Sequence, residues 1–384
     1  MLDTKTNKKT YIVIGSEHYN PLGVIRSLGE ERIKCIAIIR KGAYGFASKS
    51  KYIDKLYMID SYSEALDILD LYISESNPPV VIPCDDVIVK ILDEKFDSLK
   101  GLILTNNAGK SGRIGFFSKK KNQLDLARKH GLNVAKTWTL QNQEIPNDIE
   151  YPIITKPTYS YDDWKQDYYI CNSDNELNEA LRKVKGPIFL QSYIHKKTEL
   201  CIDGVVVAKG TDVLPAISST YTYALPDYYS SEMVISNCNE SIRKSLKEMF
   251  SEIGFEGIFE AEFMIDSANK LWFLEINFRN STWSYASTCL KMNLPLLFGI
   301  GMTNGHLPEN CEKIIPKGYL ANAELMDFLH RVIKYKMISP LEWFKRVRKA
   351  DCLFFYNKKD PKPFWSIVRY QIKKIVFGVF SRSK

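Results

Sequence analysis

Short apolar runs alternate with amphipathic stretches along the first hundred or so residues, and each run ends in glycine, proline or a charge. "YIVIG" (11–15) reads as a buried strand. "SEHYNPLGVIRSLGE" reads as a loop opening into a helix with Leu22, Ile25 and Leu28 on one face, and "KCIAIIR" (34–40) as a second buried strand. Strand, helix and strand in such close order predict a parallel βαβ unit of Rossmann type. "KLYMI", the helical "SYSEALDILDLYISES", "PVVIPCDD", a helix through "VIVKILDEKF", and "LILTN" continue it. Gly15 and Gly23 do not make a GxGxxG fingerprint, so a nicotinamide cofactor has little support.

After the Gly-rich "NAGKSGRIG" the pattern changes. "KKKNQLDLARKHGLNVAKTWTL" predicts a helix stopped at Gly131 and then a strand, and "YPIITKPTYS" a strand giving way to a loop after Lys156. The helix "NELNEALRKV" and the strand "PIFLQSYI" (187–194) follow. "TELCIDGVVVAKG" reads as a hairpin, a helix spans about 239–253, and "FEGIFEAEFMID" and "LWFLEINFRN" flank the turn "SANK" (267–270).

The last pair carries the first candidate chemistry. Side chains alternate across a strand, so Glu275, Asn277 and Arg279 share a face, as do Glu260 and Glu262. A four-residue turn at 267–270 sets Asp266 opposite Leu271, Glu262 opposite Glu275 and Glu260 opposite Asn277. Like charges directly across a ladder destabilise it, so something positive has to offset them. Oxygen donors without His or Cys suit a hard cation, Mg²⁺ or Mn²⁺, completed by water and phosphate oxygens; a pair of such ions could share the carboxylates. The plainer reading is an exposed hairpin with polar residues outward. Lys156, at a strand end, and Lys120, at a helix start, weigh against it, since a metal-bound triphosphate needs cations.

Length and composition limit the alternatives. A chain of 384 residues can hold several sub-structures. Its eight cysteines are scattered, without CxxC pairs, which argues against a disulfide framework or zinc site and suits a reducing cytosol. The N-terminus lacks a signal-peptide apolar core, and no stretch of 18 apolar residues exists. The net charge of +8 is unevenly spread: residues 331–384 hold 15 Lys and Arg against three acids, +12, leaving −4 for the rest. Nucleic acid is therefore not an expected partner of the body.

In order and spacing, "IVIGSEHYNPLGVIRSLG", "VVIPCDD", "KKKNQLDLARKHGLNVAKT", "YPIITKP", "FLQSYI", "EAEFMID" and "FLEINFR" resemble the ATP-grasp superfamily over roughly residues 10–310. The overall layout looks nearest to its carboxylate-amine ligase branch, which includes D-aspartate ligases. The resemblance implies a mixed α/β and α+β chain: an ATP-grasp fold behind an N-terminal Rossmann-like pre-ATP-grasp domain (1–112). A small lid subdomain (113–195), a large subdomain with the metal site (196–312) and a basic C-terminal extension (313–384) follow. By position it implies ATP and Mg²⁺ (or Mn²⁺) as cofactors. Lys120 and Lys156 would contact phosphates, with Lys119 or Lys121 as substitutes for the first. Gln191 stands where the family often has Glu, the backbone at Ser192 and Ile194 would read adenine, and Glu199 would bind the ribose. Glu262, Glu275 and Asn277 would hold metal, and Arg279 would meet the transferred phosphoryl group. Two departures stand out: the lid "TYSYDDWKQD" has no glycine, leaving Ser160 or Lys165 as phosphate contacts, and "NSTWSYAS" places Trp283 and Tyr285 in either an acceptor pocket or the core.

The implied activity is ATP-dependent carbon–nitrogen ligation, an amide formed from a carboxylate and an amine through an acyl phosphate, on a cell-envelope or polysaccharide precursor. An inactive ATP-binding module, or a kinase or carboxylase, stands as the alternative. Asp85 and Asp86 could face an amino group, though a helix N-cap explains them as well. "FWSIVRYQIKKIVFGVFSRSK" (364–384) mixes aromatic and basic residues, which suits either contact with the inner face of a membrane or docking on the body of a cytoplasmic protein. A second copy of the chain, as a homodimer, is a further candidate partner.

Overall fold

The computed structural model describes residues 9–42, 44–140, 145–157, 168–184, 186–226 and 230–381, with side chains at all of these except 157 and 375–381. Fifteen strands in this range fall into three sheets. The first sheet comprises β1 (Tyr11–Ser16), β2 (Cys35–Arg40), β3 (Ile53–Ile59) and β4 (Val80–Pro83), all parallel, in the order β3-β2-β1-β4. The helix Tyr19–Glu30 follows β1 directly, and its N-cap His18 accepts a hydrogen bond from the Asn20 N–H. "LILTN" forms no strand: Leu104 makes a single bridge to Val80, and Asn106 and Asn107 turn their carboxamides onto backbone carbonyls instead of extending the ladder.

The second sheet comprises β5 (Thr137–Thr139), β6 (Ile153–Pro157), β7 (Ile170–Cys171) and β8 (Ile188–Ser192), antiparallel in the order β5-β8-β6-β7. The third has seven strands. β9 (Lys196–Val207), β10 (Asp212–Tyr221), β11 (Glu232–Ser236), β12 (Gly257–Asp266), β13 (Leu271–Asn277), β14 (Tyr319–Asn322) and β15 (Cys352–Leu353) run in the order β13-β12-β9-β10-β11-β14-β15. The last two come from beyond residue 312, so the C-terminal segment extends the large sheet.

Two readings of local turns need correction. "TELCIDGVVV" lies in one long strand, β9, and "AKG" (208–210) is the turn to its hairpin partner β10, although Asp203-Gly204 has the look of a turn. Gly204 sits in mid-strand because a Cβ there would come within 2.3 Å of the Leu214 carbonyl oxygen and 2.6 Å of the Phe259 ring. The second correction lies at the "SANK" turn, where Ile265, not Asp266, pairs with Leu271. A bulge at Leu274 then shifts the register by one, so that Glu262 meets Glu275 and Glu260 meets Asn277 after all. Without that extra residue Glu262 would face Leu274, and the carboxylates would lie on opposite faces.

One apolar core joins the first sheet to the third, and Trp283 and Tyr285 belong to it. Trp283 packs against Tyr221 and Phe354, and Tyr285 donates to Glu30 at 2.6 Å, so the aromatic-core reading of "NSTWSYAS" holds.

Candidate active site

Neighbouring strands of the third sheet bring five carboxylates to one face. On β9, Glu199, Cys201 and Asp203 lie opposite Met264, Glu262 and Glu260 of β12, which in turn oppose Glu275 and Asn277 on β13. Such crowding in a half-buried wall disfavours ionisation. Glu262 is raised well above the usual carboxylate range, by burial first and then by the charges of Glu260, Glu275 and Glu199. Glu260 is raised by burial against the opposing pull of Arg279 and Asn277. Asp203 is pushed up to about 8, by burial and then Glu260, although Ser281 and Ser284 both donate to its Oδ1.

Cations approach from three directions. Lys120 opens the helix Lys120–Lys129, its Nζ 4.0 Å from Glu275 Oε2 and donating to Tyr168 at 3.2 Å. Burial lowers its pKa, but Glu275 and Tyr168 outweigh that and leave it raised. Lys119 and Lys121 are exposed, so Lys120 is the one of the three that turns toward the wall. Lys156, on β6, is brought down to about 8 by burial and by Lys120, against the pull of Glu275. Arg279 follows β13, with Nε 3.1 Å from Asp86 Oδ2 and Nη1 3.7 Å from Glu260 Oε2. Asp86 is half exposed, so an incoming anion can compete for the guanidinium. Its neighbour Asp85 is the helix N-cap, accepting from the Val87 N–H at 2.9 Å.

Side-chain amides hold these parts in place. Gln123, one turn beyond Lys120, donates to the Ile276 carbonyl at 3.0 Å and accepts from the Ile276 N–H at 2.5 Å. It thereby caps the free edge of β13 between Glu275 and Asn277. Asn280 donates to Asn20 Oδ1 at 2.6 Å, and Asn20 donates back to the Asn280 carbonyl at 2.8 Å, fastening the residue after Arg279 to the first domain.

Asn277 Nδ2 donates to Glu260 Oε2 at 3.0 Å and to Glu262 Oε1 at 2.7 Å. Among the described residues no group of three or more His, Cys, Asp and Glu side chains is preassembled as a metal site. The donor set still fits a hard cation: crowded carboxylate oxygens, an amide able to turn its Oδ1 inward, and no His or Cys among them except the buried Cys201. Glu262, Glu275 and Asn277 would hold it.

The remaining predicted residues are spread along the junction of the second and third sheets. Ser192 and Ile194 line a groove of about 450 Å³ with Leu132, Lys136, Lys270 and Trp272. The Ser192 N–H is already committed to the Lys136 carbonyl at 2.9 Å. Gln191 is buried and donates to Thr137 Oγ1 at 3.2 Å. Glu199 pairs with Lys196 at 2.6 Å. Ser160 and Lys165 lie outside the described residues. The residues not anticipated are Asp203, Gln123 and Asn20. Asp203 had a signal, the Glu199-x-Cys201-x-Asp203 alternation, hidden by the turn-like Asp-Gly; the two amides had none.

No family model and no curated protein matches the sequence. Solved structures do match. The L-amino acid ligase of Bacillus licheniformis shares 14% identity at a TM-score of 0.56, over 77% of this chain and 74% of that one. The biotin carboxylase of Campylobacter jejuni, solved as a β,γ-ATP complex, shares 15% at 0.61, over 81% and 74%. The biotin carboxylase domain of a Hydrogenobacter thermophilus 2-oxoglutarate carboxylase, solved with MgADP, ADP and bicarbonate, shares 18% at 0.57, over 79% and 72%. With the three sheets above, these likenesses show the fold: an ATP-grasp fold with an N-terminal Rossmann-like domain.

Proposed function

We propose that the protein is an ATP-dependent carboxylate-amine ligase that forms an amide through an acyl phosphate. The observation that supports this most is the convergence of Lys120, Lys156 and Arg279 on a wall of five carboxylates crowded closely enough that burial and mutual repulsion hold Glu262 and Asp203 toward their neutral forms. Such a wall suits a metal–nucleotide complex, and two of the solved neighbours are nucleotide complexes, one with MgADP.

In this reading the adenine lies along Ser192–Ile194 and the ribose near Glu199. Lys120 and Lys156 neutralise the phosphates, and a Mg²⁺ or Mn²⁺ bound by Glu262, Glu275 and Asn277 would supply further charge neutralisation there. Arg279 leaves Asp86 to orient the substrate carboxylate and then holds the oxyanion formed as the amine attacks. Asp86, once released, is placed to receive the amine. The substrates fitting this description are a small carboxylate and an amino acid or other amine.

The test is phosphate and ADP release from Mg-ATP with pooled carboxylates and amines. Phosphate release that needs both partners is expected. Turnover with bicarbonate alone would make the protein a carboxylase, and a stable phosphorylated product without amine a kinase.

A further inference from the structure

The C-terminal segment shows two different faces to its surroundings. Its inward face is well anchored: Arg346 pairs with the buried Glu232, at 3.1 Å through Nε and 2.5 Å through Nη2. Ser366 donates to the Gly45 carbonyl at 2.6 Å, Ile367 is buried, and Tyr370 stacks on Tyr44 at 4.1 Å. The body-docking reading is therefore correct for one side of the helix Lys362–Ser381.

The outward face carries large, half-exposed apolar side chains among basic ones. The helix Pro340–Val347 buries no residue, and Leu341 (65% exposed) and Phe344 (51%) stand one turn apart with Lys345 and Arg348 beside them. On the helix Lys362–Ser381 the exposed positions 362, 365, 369 and 372 recur at helical spacing. They place Trp365 (51% exposed) between Lys362 and Arg369, and Ile372 (56%) between Arg369 and Lys373. Trp343 and Phe364, the inward neighbours of Phe344 and Trp365, line one apolar cavity with Leu325 and Phe328, which brings the two helices together near their N-terminal ends.

Charge selects the occupant. Of the three acids among residues 331–384, Asp360 is buried and Asp351 accepts the Leu320 N–H; Glu342, exposed on the helix Pro340–Val347, is outnumbered by the exposed Lys345, Arg348, Lys362, Arg369, Lys373 and Lys374, so the solvent face is basic. A second copy would bring like charge against like. A nucleic acid would satisfy the lysines and arginines but not the exposed leucine, isoleucine and aromatic rings. No helix among the described residues is long and apolar enough to cross a membrane. Side chains with apolar tips set among basic ones fit the headgroup region of an anionic bilayer, where rings enter the acyl boundary and cations meet phosphate.

We propose that the helices Pro340–Val347 and Lys362–Ser381 form a single docking face for an anionic lipid bilayer, seated by Leu341, Phe344, Trp365 and Ile372. The face lies apart from the nucleotide cleft, and the proposal does not depend on the ligase reading.

Flotation of the full chain with vesicles tests it. Vesicles of phosphatidylcholine mixed with phosphatidylglycerol should carry the protein, vesicles of phosphatidylcholine alone should not, and added salt should release it. The double variant Phe344→Ser/Trp365→Ser should partition at least about tenfold less, with an unchanged circular dichroism spectrum, since both side chains are half exposed. Binding indifferent to lipid charge, or unchanged in that variant, would overturn the proposal. So would capture by duplex DNA without vesicle binding, or a dimer in sedimentation equilibrium that the same substitutions dissolve while flotation is absent.

Discussion

Two buried charged clusters in this chain have opposite characters. At one, Arg26 is fully buried and donates to the Phe354, Phe355 and Asp360 carbonyls and to the Asp360 carboxylate, which also accepts from Ser50 and the Lys51 N–H. Opposite charges meet there, and five further donors and acceptors complete the set. At the other, carboxylates face carboxylates, Glu262 and Asp203 are forced toward their neutral forms, and Asp203 Oδ2 has no partner among the described residues. The first cluster latches the C-terminal segment to the first domain. The second stores unfavourable electrostatics that a ligand can relieve, which is how binding sites differ from structural pairs.

Breaking each cluster should therefore give opposite results. Glu275→Ala is expected to lower turnover by at least about a thousandfold while leaving thermal stability unchanged or raised, because it removes one of the crowded charges. Full activity in this variant would refute the metal assignment. Arg26→Ala should do the reverse: it leaves the Asp360 carboxylate buried and unpaired, at a cost of about 3–5 kcal/mol in denaturant unfolding, with kcat of the folded protein retained. A stability loss under about 1 kcal/mol would show that the latch is not fully dehydrated.

The pH dependence sharpens the same contrast. Asp203 is raised to about 8 in the folded chain, so the folded state holds a proton that the unfolded state releases near pH 4. Stability then falls as pH rises from about 4 through about 8. A divalent cation needs the ionised carboxylates, so the gain in Tm from Mg²⁺ or Mn²⁺ should be larger at pH 8 than at pH 5; an equal gain at both would contradict a carboxylate-held ion. Lys156 gives a smaller effect of its own. Its pKa of about 8 means that the ammonium is lost above that pH, so MgADP affinity should weaken by up to about tenfold per pH unit there, and Lys156→Arg should flatten the slope.

Much of this architecture was legible because its signals are local. Apolar runs closed by glycine, a charge or proline mark β1, β2 and β4, and the alternation of Glu275, Asn277 and Arg279 marks a polar face whatever the register. What was hidden depends on contacts distant in sequence. The Leu274 bulge offsets a hairpin that starts one residue early, so the expected pairing of the carboxylates held for a reason the turn does not show. Gly204 lies in a strand because the Leu214 carbonyl and the Phe259 ring fill the space of a side chain. Gln123 reads as an ordinary helical glutamine until β13 arrives beside it, and Asn20 as a loop residue until Asn280 does.

The central claim is that the carboxylate wall binds nucleotide through a divalent cation. Titration calorimetry of ADP into the protein, with Mg²⁺ and then with the metal chelated, tests it most directly, in parallel with Glu275→Ala. The account predicts tight binding that depends on the metal in the natural chain and loses that dependence in the variant. Equal affinity with and without the metal in the natural chain would contradict it.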